Sequence, residues 1–302
     1  MIPNYDSPTE LKSILDERGF SMQKKFGQNF LINPSARKTL VDSLDLEENM
    51  NVWEVGPGLG ALTTQILSKN TNLTVFEIDR GFADFLKDEI QSEFPGKLKI
   101  VRGDFLKTWK NELETVVSNK VSENGKISEN GKFPERFFGN LPYNVAATII
   151  ADTISNQTRF DKCVFTVQKE VAMRICAKPG TENYSSFSVL CQWAYDVKNV
   201  IDLSGASFWP RPNVDSRAVK MTKKQNFPNC ENPKLFLTLV RTIFSLRRKT
   251  IKNNLNQLTC DSEFTEKILK KANIAENLRA EALDLNTILR LCDILNEEKG
   301  GK

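Results

Sequence analysis

The run from Asn51 to Ala61 restricts the fold more than any other stretch. Asn51-Val52-Trp53-Glu54-Val55 has the length and apolar content of a buried strand, and it passes directly into Gly56-Pro57-Gly58-Leu59-Gly60-Ala61 and then a helical stretch, Leu62 to Leu67. A glycine-rich turn of this kind lets backbone amides at a helix N-terminus come close to a ligand. The alternation then repeats. Leu73 to Glu77 reads as a strand ending in an acid, Phe82 to Phe94 has helical periodicity, and Lys99 to Val101 reads as a strand closed by Gly103-Asp104. Short strands alternating with helices of this length imply an α/β fold with a parallel sheet covered on both faces.

Ser7-Pro8-Thr9-Glu10 carries a helix-start pattern, so a short amphipathic helix opens the chain and ends near Gly19. Residues 111 to about 135 break the α/β alternation: Val121-Ser122-Glu123-Asn124-Gly125-Lys126 is followed by its near copy, Ile127-Ser128-Glu129-Asn130-Gly131-Lys132, which reads as a polar surface insertion. Strands are expected at Lys162 to Val167, Val197 to Leu203 and Arg217 to Met221, with helices after Gln168 and over Ser185 to Tyr195. Lys223 to Pro233 is the best candidate linker, and beyond it the pattern is purely helical: Leu235 to Leu258, Phe264 to Ala272 and Asn286 to Asn296. The expected organisation is a helical and basic segment over 1–50, an α/β domain over 51–224 and a small all-α domain over 229–298.

Several function classes fall away at once. No histidine occurs in the 302 residues, which excludes Ser-His-Asp and Cys-His catalysis and histidine-based metal sites. The six cysteines are scattered without a close pair, so they read as reduced packing residues, and no metal is expected. No apolar run approaches membrane-spanning length, and a cytoplasmic protein is expected. The net charge of +4 is modest, but its distribution is not. Arg18, Lys24, Lys25, Arg37 and Lys38 stand between Arg18 and Val41 with no acid among them, and Lys234, Arg241, Arg247, Arg248, Lys249 and Lys252 do the same between Pro233 and Cys260. One-signed stretches on a balanced chain point to a polyanion partner, although a solvated helix face is the plainer alternative.

Glu77 lies 21 residues past Gly56, where a carboxylate can accept two ribose hydroxyls. The loop by itself fits a dinucleotide as well as S-adenosylmethionine, or a purely structural glycine turn. Pro57 favours the second choice, because it removes an amide donor that a pyrophosphate cradle would need. Asp104 can hold an adenine amine or simply cap the helix that begins at Phe105. Phe138-Gly139-Asn140-Leu141-Pro142-Tyr143 reads as a strand end turning into a helix, stiffened by Pro142. The Asn140 side-chain oxygen and the carbonyls beside the proline could converge on one amine, with the Tyr143 ring as a flat face for a base. Capping by Asn140 and core packing by Tyr143 remain open at this point.

The motifs Gln28-Asn29-Phe30-Leu31, Glu54-Val55-Gly56-Pro57-Gly58-Leu59-Gly60, Glu77, Gly103-Asp104, Asn140-Leu141-Pro142-Tyr143, Val167-Gln168-Lys169-Glu170-Val171-Ala172, Phe208-Trp209-Pro210-Arg211-Pro212-Asn213-Val214-Asp215-Ser216 and Phe244-Ser245-Leu246-Arg247-Arg248-Lys249 occur in that order. In this the chain resembles the bacterial small-subunit ribosomal RNA adenine dimethyltransferases, the kasugamycin-resistance methylase (KsgA) family, over about residues 7 to 298 apart from the insertion. The resemblance implies a Rossmann-like, S-adenosylmethionine-dependent methyltransferase domain with a small all-α C-terminal domain. It implies dimethylation of two adjacent adenines in a hairpin near the 3′ end of 16S rRNA, within the small subunit, by a monomer with no metal. Carried over, Asn29, Leu31, Gly56, Gly58, Glu77, Ile78, Asp104, Phe105 and Asn140 would surround the cofactor. Asn140, Leu141 and Pro142 would hold the target amine, and Tyr143 and Phe208 would sandwich the extruded base; the plainer alternative for Phe208 is a core plug beside Trp209. Lys24, Lys25, Arg241, Arg247, Arg248 and Lys249 would meet the RNA. Rival readings are a large-subunit adenine methylase, an assembly or transcription factor without turnover, and, more remotely, an NAD dehydrogenase.

Overall fold

The structure, a computed structural model, describes residues 2–20, 29–118 and 133–300. Lys24, Lys25 and the tandem repeat lie outside the described residues. The chain divides into two compact units, one of Met1–Ile149, Phe160–Ala172 and Lys198–Thr222, the other of Ile150–Arg159, Met173–Val197 and Lys223–Lys302. The helical unit thus takes two segments from inside the expected α/β domain as well as the chain beyond residue 222.

In chain order the elements that lead to the site are α1 (Pro8–Glu17), β1 (Phe30–Leu31), α2 (Pro34–Asp42), β2 (Asn51–Val55), α3 (Thr63–Leu67), β3 (Asn72–Glu77), α4 (Arg80–Phe85), β4 (Leu98–Arg102), α5 (Phe105–Ser118), β5 (Arg136–Asn140), α6 (Ala146–Ser155), β6 (Lys162–Gln168) and α7 (Lys169–Ile175). After α8 (Ser186–Ala194) come β7 (Tyr195–Leu203), β8 (Phe208–Trp209) and β9 (Ser216–Lys223). Seven strands form one sheet in the order β4-β3-β2-β5-β6-β9-β7, and β1 pairs separately with β8. Strands β2 to β6 run parallel to their neighbours, while β9 lies antiparallel to β6. From β2 the chain moves outward through β3 and β4, then returns to the other side of β2 as β5. That reversal leaves a crevice at the C-terminal ends of β2 and β5, where open α/β sheets bind ligands.

The strands are central and covered on both faces: four of five residues in β2 and in β5 are buried, all but Glu54 and Arg136 of them uncharged. One face carries an aromatic layer, in which Trp53 meets Phe76 at 4.9 Å and Phe105, opening α5, meets Phe76 at 4.9 Å and Phe137 at 5.4 Å between ring centroids. The other face places Val52, Val75, Phe138 and Val164 in a core with Leu40, Ile66 and Phe82. Two sequence expectations change here. The helix expected over Phe82 to Phe94 is α-helical only as far as Phe85 and continues as a π-helical turn, Leu86–Ile90. Residues 111–118, assigned to the insertion, complete α5, whose Trp109 and Glu112 are buried and whose Glu112 carboxylate receives the Lys99 ammonium at 2.5 Å.

The second unit packs α8 with α9 (Pro233–Ile243), α10 (Ile251–Thr259), α11 (Ser262–Lys271) and α12 (Leu285–Gly300). Trp193 lies 4.5 Å from Phe236 between centroids. The single helix expected over Leu235 to Leu258 is broken into α9 and α10, so the basic run Arg247-Arg248-Lys249 sits on the turn between them. The turn is held at both ends: Thr250 caps α10 by accepting the Asn253 N–H, and buried Asn254 donates to the carbonyls of Ile243, at 2.8 Å, and Leu246, at 3.2 Å. Asn254→Ala leaves the buried Ile243 carbonyl short of a donor, while that of Leu246 keeps the Lys249 N–H at 2.9 Å, and should lower stability to chemical denaturation by about 1–3 kcal/mol.

Candidate active site

The glycine loop leaves β2 with Gly56 at φ +69° and Gly58 at φ +58°, conformations that favour glycine. A Cβ on Gly58 would lie 3.2 Å from the Phe30 ring, so the loop also needs glycine to let β1 close over it. The loop is tied to β3 by the Glu77 carboxylate, which accepts the Gly58 N–H at 3.1 Å and the Asp79 N–H at 2.8 Å. Beside it, buried Glu54 accepts the Thr63 hydroxyl at 2.8 Å. Burial raises both carboxyls. Glu54 is pushed up to about 8, helped by the nearby Glu77 charge, and Glu77 to about 7 against the pull of its backbone donors. Both carboxylates line one cavity of about 80 Å³, together with Asn29, Leu31, Gly56, Gly58 and Asn140 among others.

The Asn140 turn forms another part of that cavity wall. Its Nδ2 donates to the Asn29 carbonyl at 3.0 Å, which fixes the amide so that Oδ1 is the atom left to accept. Leu141 N–H donates to the Thr166 carbonyl at 3.0 Å, holding the turn to β6. Of the carbonyls expected to be free, that of Pro142 is not: it accepts the N–H groups of Val145 and Ala146 at the start of α6. No N–H among the described residues donates to the Leu141 carbonyl. Tyr143 is half-buried, and its hydroxyl lies 2.6 Å from Oγ of fully buried Ser216, the first residue of β9, so the ring plane is anchored from across the sheet.

A second cavity, about 230 Å³, opens beyond the first and is lined by Ile78, Asp104 and Phe105 along with Gly103 and Val145. Gly56, Ile78 and Pro142 line both. Ile78 offers an exposed apolar face, at 44% exposure, whereas Asp104 Oδ1 accepts the Leu106 N–H at 3.0 Å and so also caps α5.

The expected site residues Asn29, Leu31, Gly56, Gly58, Glu77, Ile78, Asp104, Phe105 and the four of the Asn140 turn therefore converge on one crevice. Phe208 does not. It is 3% exposed, stands opposite Leu31 in the β1–β8 pair and lines neither cavity, so it packs behind Leu31. Arg241, Arg247, Arg248 and Lys249 belong to the second unit and are exposed. Arg247 is engaged, pairing with Glu281 at 3.1 Å and donating to the Glu182 carbonyl at 2.7 Å. Sequence reasoning missed Glu54, whose signal was an acid inside an otherwise apolar strand, and Ser216, which carried none. Among the described residues no cluster of His, Cys, Asp and Glu is arranged to hold a metal, and no helix is long and apolar enough to cross a membrane.

A family model described as ribosomal RNA adenine dimethylase matches residues 19–297. The chain belongs to this family. Among its relatives, ribosomal RNA small subunit methyltransferase A of Treponema denticola is 46% identical over 97% of this chain and 96% of its own length. The protein of the same name from Borreliella burgdorferi is 40% identical over 93% of this chain and 89% of its own. A dimethyladenosine transferase from Plasmodium falciparum has the same fold, with a TM-score of 0.70 and 25% identity across 89% of this chain and 97% of that one. The 23S rRNA methyltransferase ErmE shares the fold at a TM-score of 0.63 and 21% identity, across 88% of this chain and 99% of its own. The chain thus has the α/β fold and belongs to a family of rRNA methyltransferases, and residues 2–18 lie ahead of the matched region.

The raised carboxyls of this family member make stability pH-dependent. Glu54 holds its proton more tightly in the folded chain than at its ordinary value of 4.5, so its favourable contribution is complete below that value and is lost as pH rises through about 8. Thermal melts between pH 5 and 9 should show the native chain losing stability with rising pH. Glu54→Gln should lose less, by on the order of a few kcal/mol, and parallel curves would disprove the assignment.

Proposed function

We propose that the chain transfers methyl groups from S-adenosylmethionine to the N6 amines of two adjacent adenosines in a hairpin near the 3′ end of 16S rRNA, within the small ribosomal subunit and as part of its biogenesis. The observation that carries this reading is the shared wall of Gly56, Ile78 and Pro142, which joins the buried-carboxylate cavity, with the Asn140 turn in its wall, to the cavity lined by Asp104 and Phe105. The cavity chemistry fits the donor. Glu54 and Glu77 line it with no Lys or Arg among the described residues, which suits a cationic ligand and opposes a pyrophosphate. Glu77 would hold the ribose hydroxyls on lone pairs not taken by Gly58 and Asp79, and Asp104, Ile78 and Phe105 would hold the adenine. Asn29, Leu31, Gly56 and Gly58 would border the amino-acid part.

When bound, the donor supplies an already activated methyl carbon on sulfur. What the chain must add is position. Asn140 Oδ1 and the Leu141 carbonyl accept the hydrogens of the target amine, which turns the nitrogen lone pair out of conjugation with its ring. Pro142 keeps these two acceptors in place, and the Tyr143 ring, anchored by Ser216, stacks on the base. Alignment can supply ~7–11 kcal/mol of barrier reduction against ~3–5 kcal/mol from a general base, so a chain without histidine forgoes little. The amine proton leaves to water. Phe208 serves this reading as the support behind Leu31. The helical segment over 229–298 meets the RNA through Arg241, Arg248 and Lys249, together with Lys24 and Lys25 of the N-terminal segment; Arg247 chiefly secures the turn. The enzyme acts as a monomer in the cytoplasm, where its substrate is assembled.

Labelled methyl transfer onto unmethylated small subunits, naked rRNA and large subunits tests the reading; it stands if small subunits are the preferred acceptor and falls if large subunits are, or if none accepts. Asn140→Ala should reduce transfer by ~10²-fold or more, in line with removal of a transition-state hydrogen-bonding group, while S-adenosylmethionine affinity stays within about tenfold. Replacing Arg248 and Lys249 together by Ala should lower the slope of log affinity against log salt by about 1–2 for small-subunit binding, whereas an unchanged slope would show that this turn faces away from the RNA.

A further inference from the structure

The N-terminal arm, residues 2–18, precedes the region matched by the family model, yet it reaches the glycine loop. Tyr5 is 8% exposed, and its hydroxyl donates to the Leu59 carbonyl at 2.8 Å, in the middle of Gly56–Ala61. The next residue, Asp6, pairs with the Arg37 guanidinium, which is 4% exposed on α2. Arg37 Nη1 in turn donates to the Leu31 carbonyl at 2.8 Å and approaches the Tyr5 carbonyl at 3.5 Å. Leu31 and the glycine loop line the same cavity. One short arm thus holds two separate parts of its wall, by one bond from Tyr5 and one ion pair from Asp6. Arg37 Nε is buried without a partner. The guanidinium therefore sits where Asp6 and Leu31 place it rather than where all its N–H groups would be satisfied.

We propose that Tyr5, Asp6 and Arg37 form a clamp that sets the glycine loop and Leu31 in the geometry needed to bind S-adenosylmethionine, with Tyr5 and Arg37 as positioning residues. The inference rests on the reading of the crevice as the S-adenosylmethionine site. Its physical basis is conformational freedom. A loop with glycines at positive φ has many alternatives in the absence of restraint, and any ordering left to the ligand weakens binding. A hydroxyl on the loop's central carbonyl removes that freedom before the ligand arrives. None of the three side chains needs to touch the ligand.

The test is Tyr5→Phe, which keeps the buried ring and deletes the hydroxyl. Calorimetric titration of the full-length protein with S-adenosylmethionine should give a Kd raised about three- to tenfold, the loss expected for one hydrogen bond. Steady-state methylation of small subunits should show KM for the donor raised by the same factor, with kcat at saturating donor changed less than about twofold. Val219→Ala, in the core of β9 and away from the loop, is the control for stability alone; at a comparable drop in Tm it should leave Kd unchanged. A Kd for Tyr5→Phe within about 1.5-fold of the native value, or an equal rise in Val219→Ala, overturns the clamp. Should Tyr5→Phe not fold, Asp6→Asn weakens the same network from an exposed side chain and must show the same split. Native protein that fails to bind the donor would overturn the functional reading itself, whereas native binding matched by Tyr5→Phe removes the clamp alone.

Discussion

The pairing of β2 with β5, in which Val55 stands opposite Gly139, brings the glycine loop and the proline turn to one crevice. It is a demanding contact. A Cβ at position 139 would fall 2.6 Å from the Leu141 side chain and 3.1 Å from the Val55 carbonyl, so glycine is required for the strand to close and for Leu141 to fold back over its end. Every later feature inherits this placement. The aromatic layer of Trp53, Phe76, Phe105 and Phe137 holds the strands from one side, and the bond from Asn140 to the Asn29 carbonyl draws β1 over the opening. The site is therefore a consequence of where the sheet reverses rather than of a separate loop framework.

The electrostatics follow from the same geometry. Glu54 must point to the helical face because Trp53 and Val55 take the aromatic face, and Thr63 of α3 is the donor that meets it there. Glu77 ends β3 one strand away, with two backbone amides directed at it. Burying two carboxyls side by side costs stability unless one retains a proton or a cation joins them, and the raised proton affinities express that cost. A binding site that is less stable when empty is one that gains by taking a positively charged ligand. Under the proposed function charge would bind the donor and hydrogen-bond acceptors would aim the amine, a division that needs no histidine.

The helical unit shows how a charge count becomes a smaller set of available charges. Six basic residues between Pro233 and Cys260 looked equivalent, but the structure gives them different employment. Arg247 is tied to Glu281 and the Glu182 carbonyl, and Lys252 is shared between Glu266 at 2.5 Å and Glu276 at 2.7 Å. Arg248 and Lys249 stand on the exposed turn between α9 and α10 that Asn254 helps to hold. Pairing with acids distant in sequence decides which cations remain for a polyanion.

Local chemistry determined much of this protein in advance. The alternation of strands and helices, the glycine loop, Glu77, Asp104 and the stiff Asn140 turn were all legible, because each depends on residues within a few positions of one another and on the fixed periods of helix and strand. What lay beyond reach depended on partners far apart in the chain. The Asn254 side chain ties the turn between two helices by reaching back to Ile243; Ser216 fixes Tyr143 from another strand; Phe208 packs behind Leu31, opposite it in the β1–β8 pair; and Tyr5 reaches Leu59 across 54 positions. Period and turn chemistry are properties of the sequence, whereas the direction in which a polar or aromatic side chain faces is settled only when the sheet closes and distant groups compete for the same donors, acceptors and space.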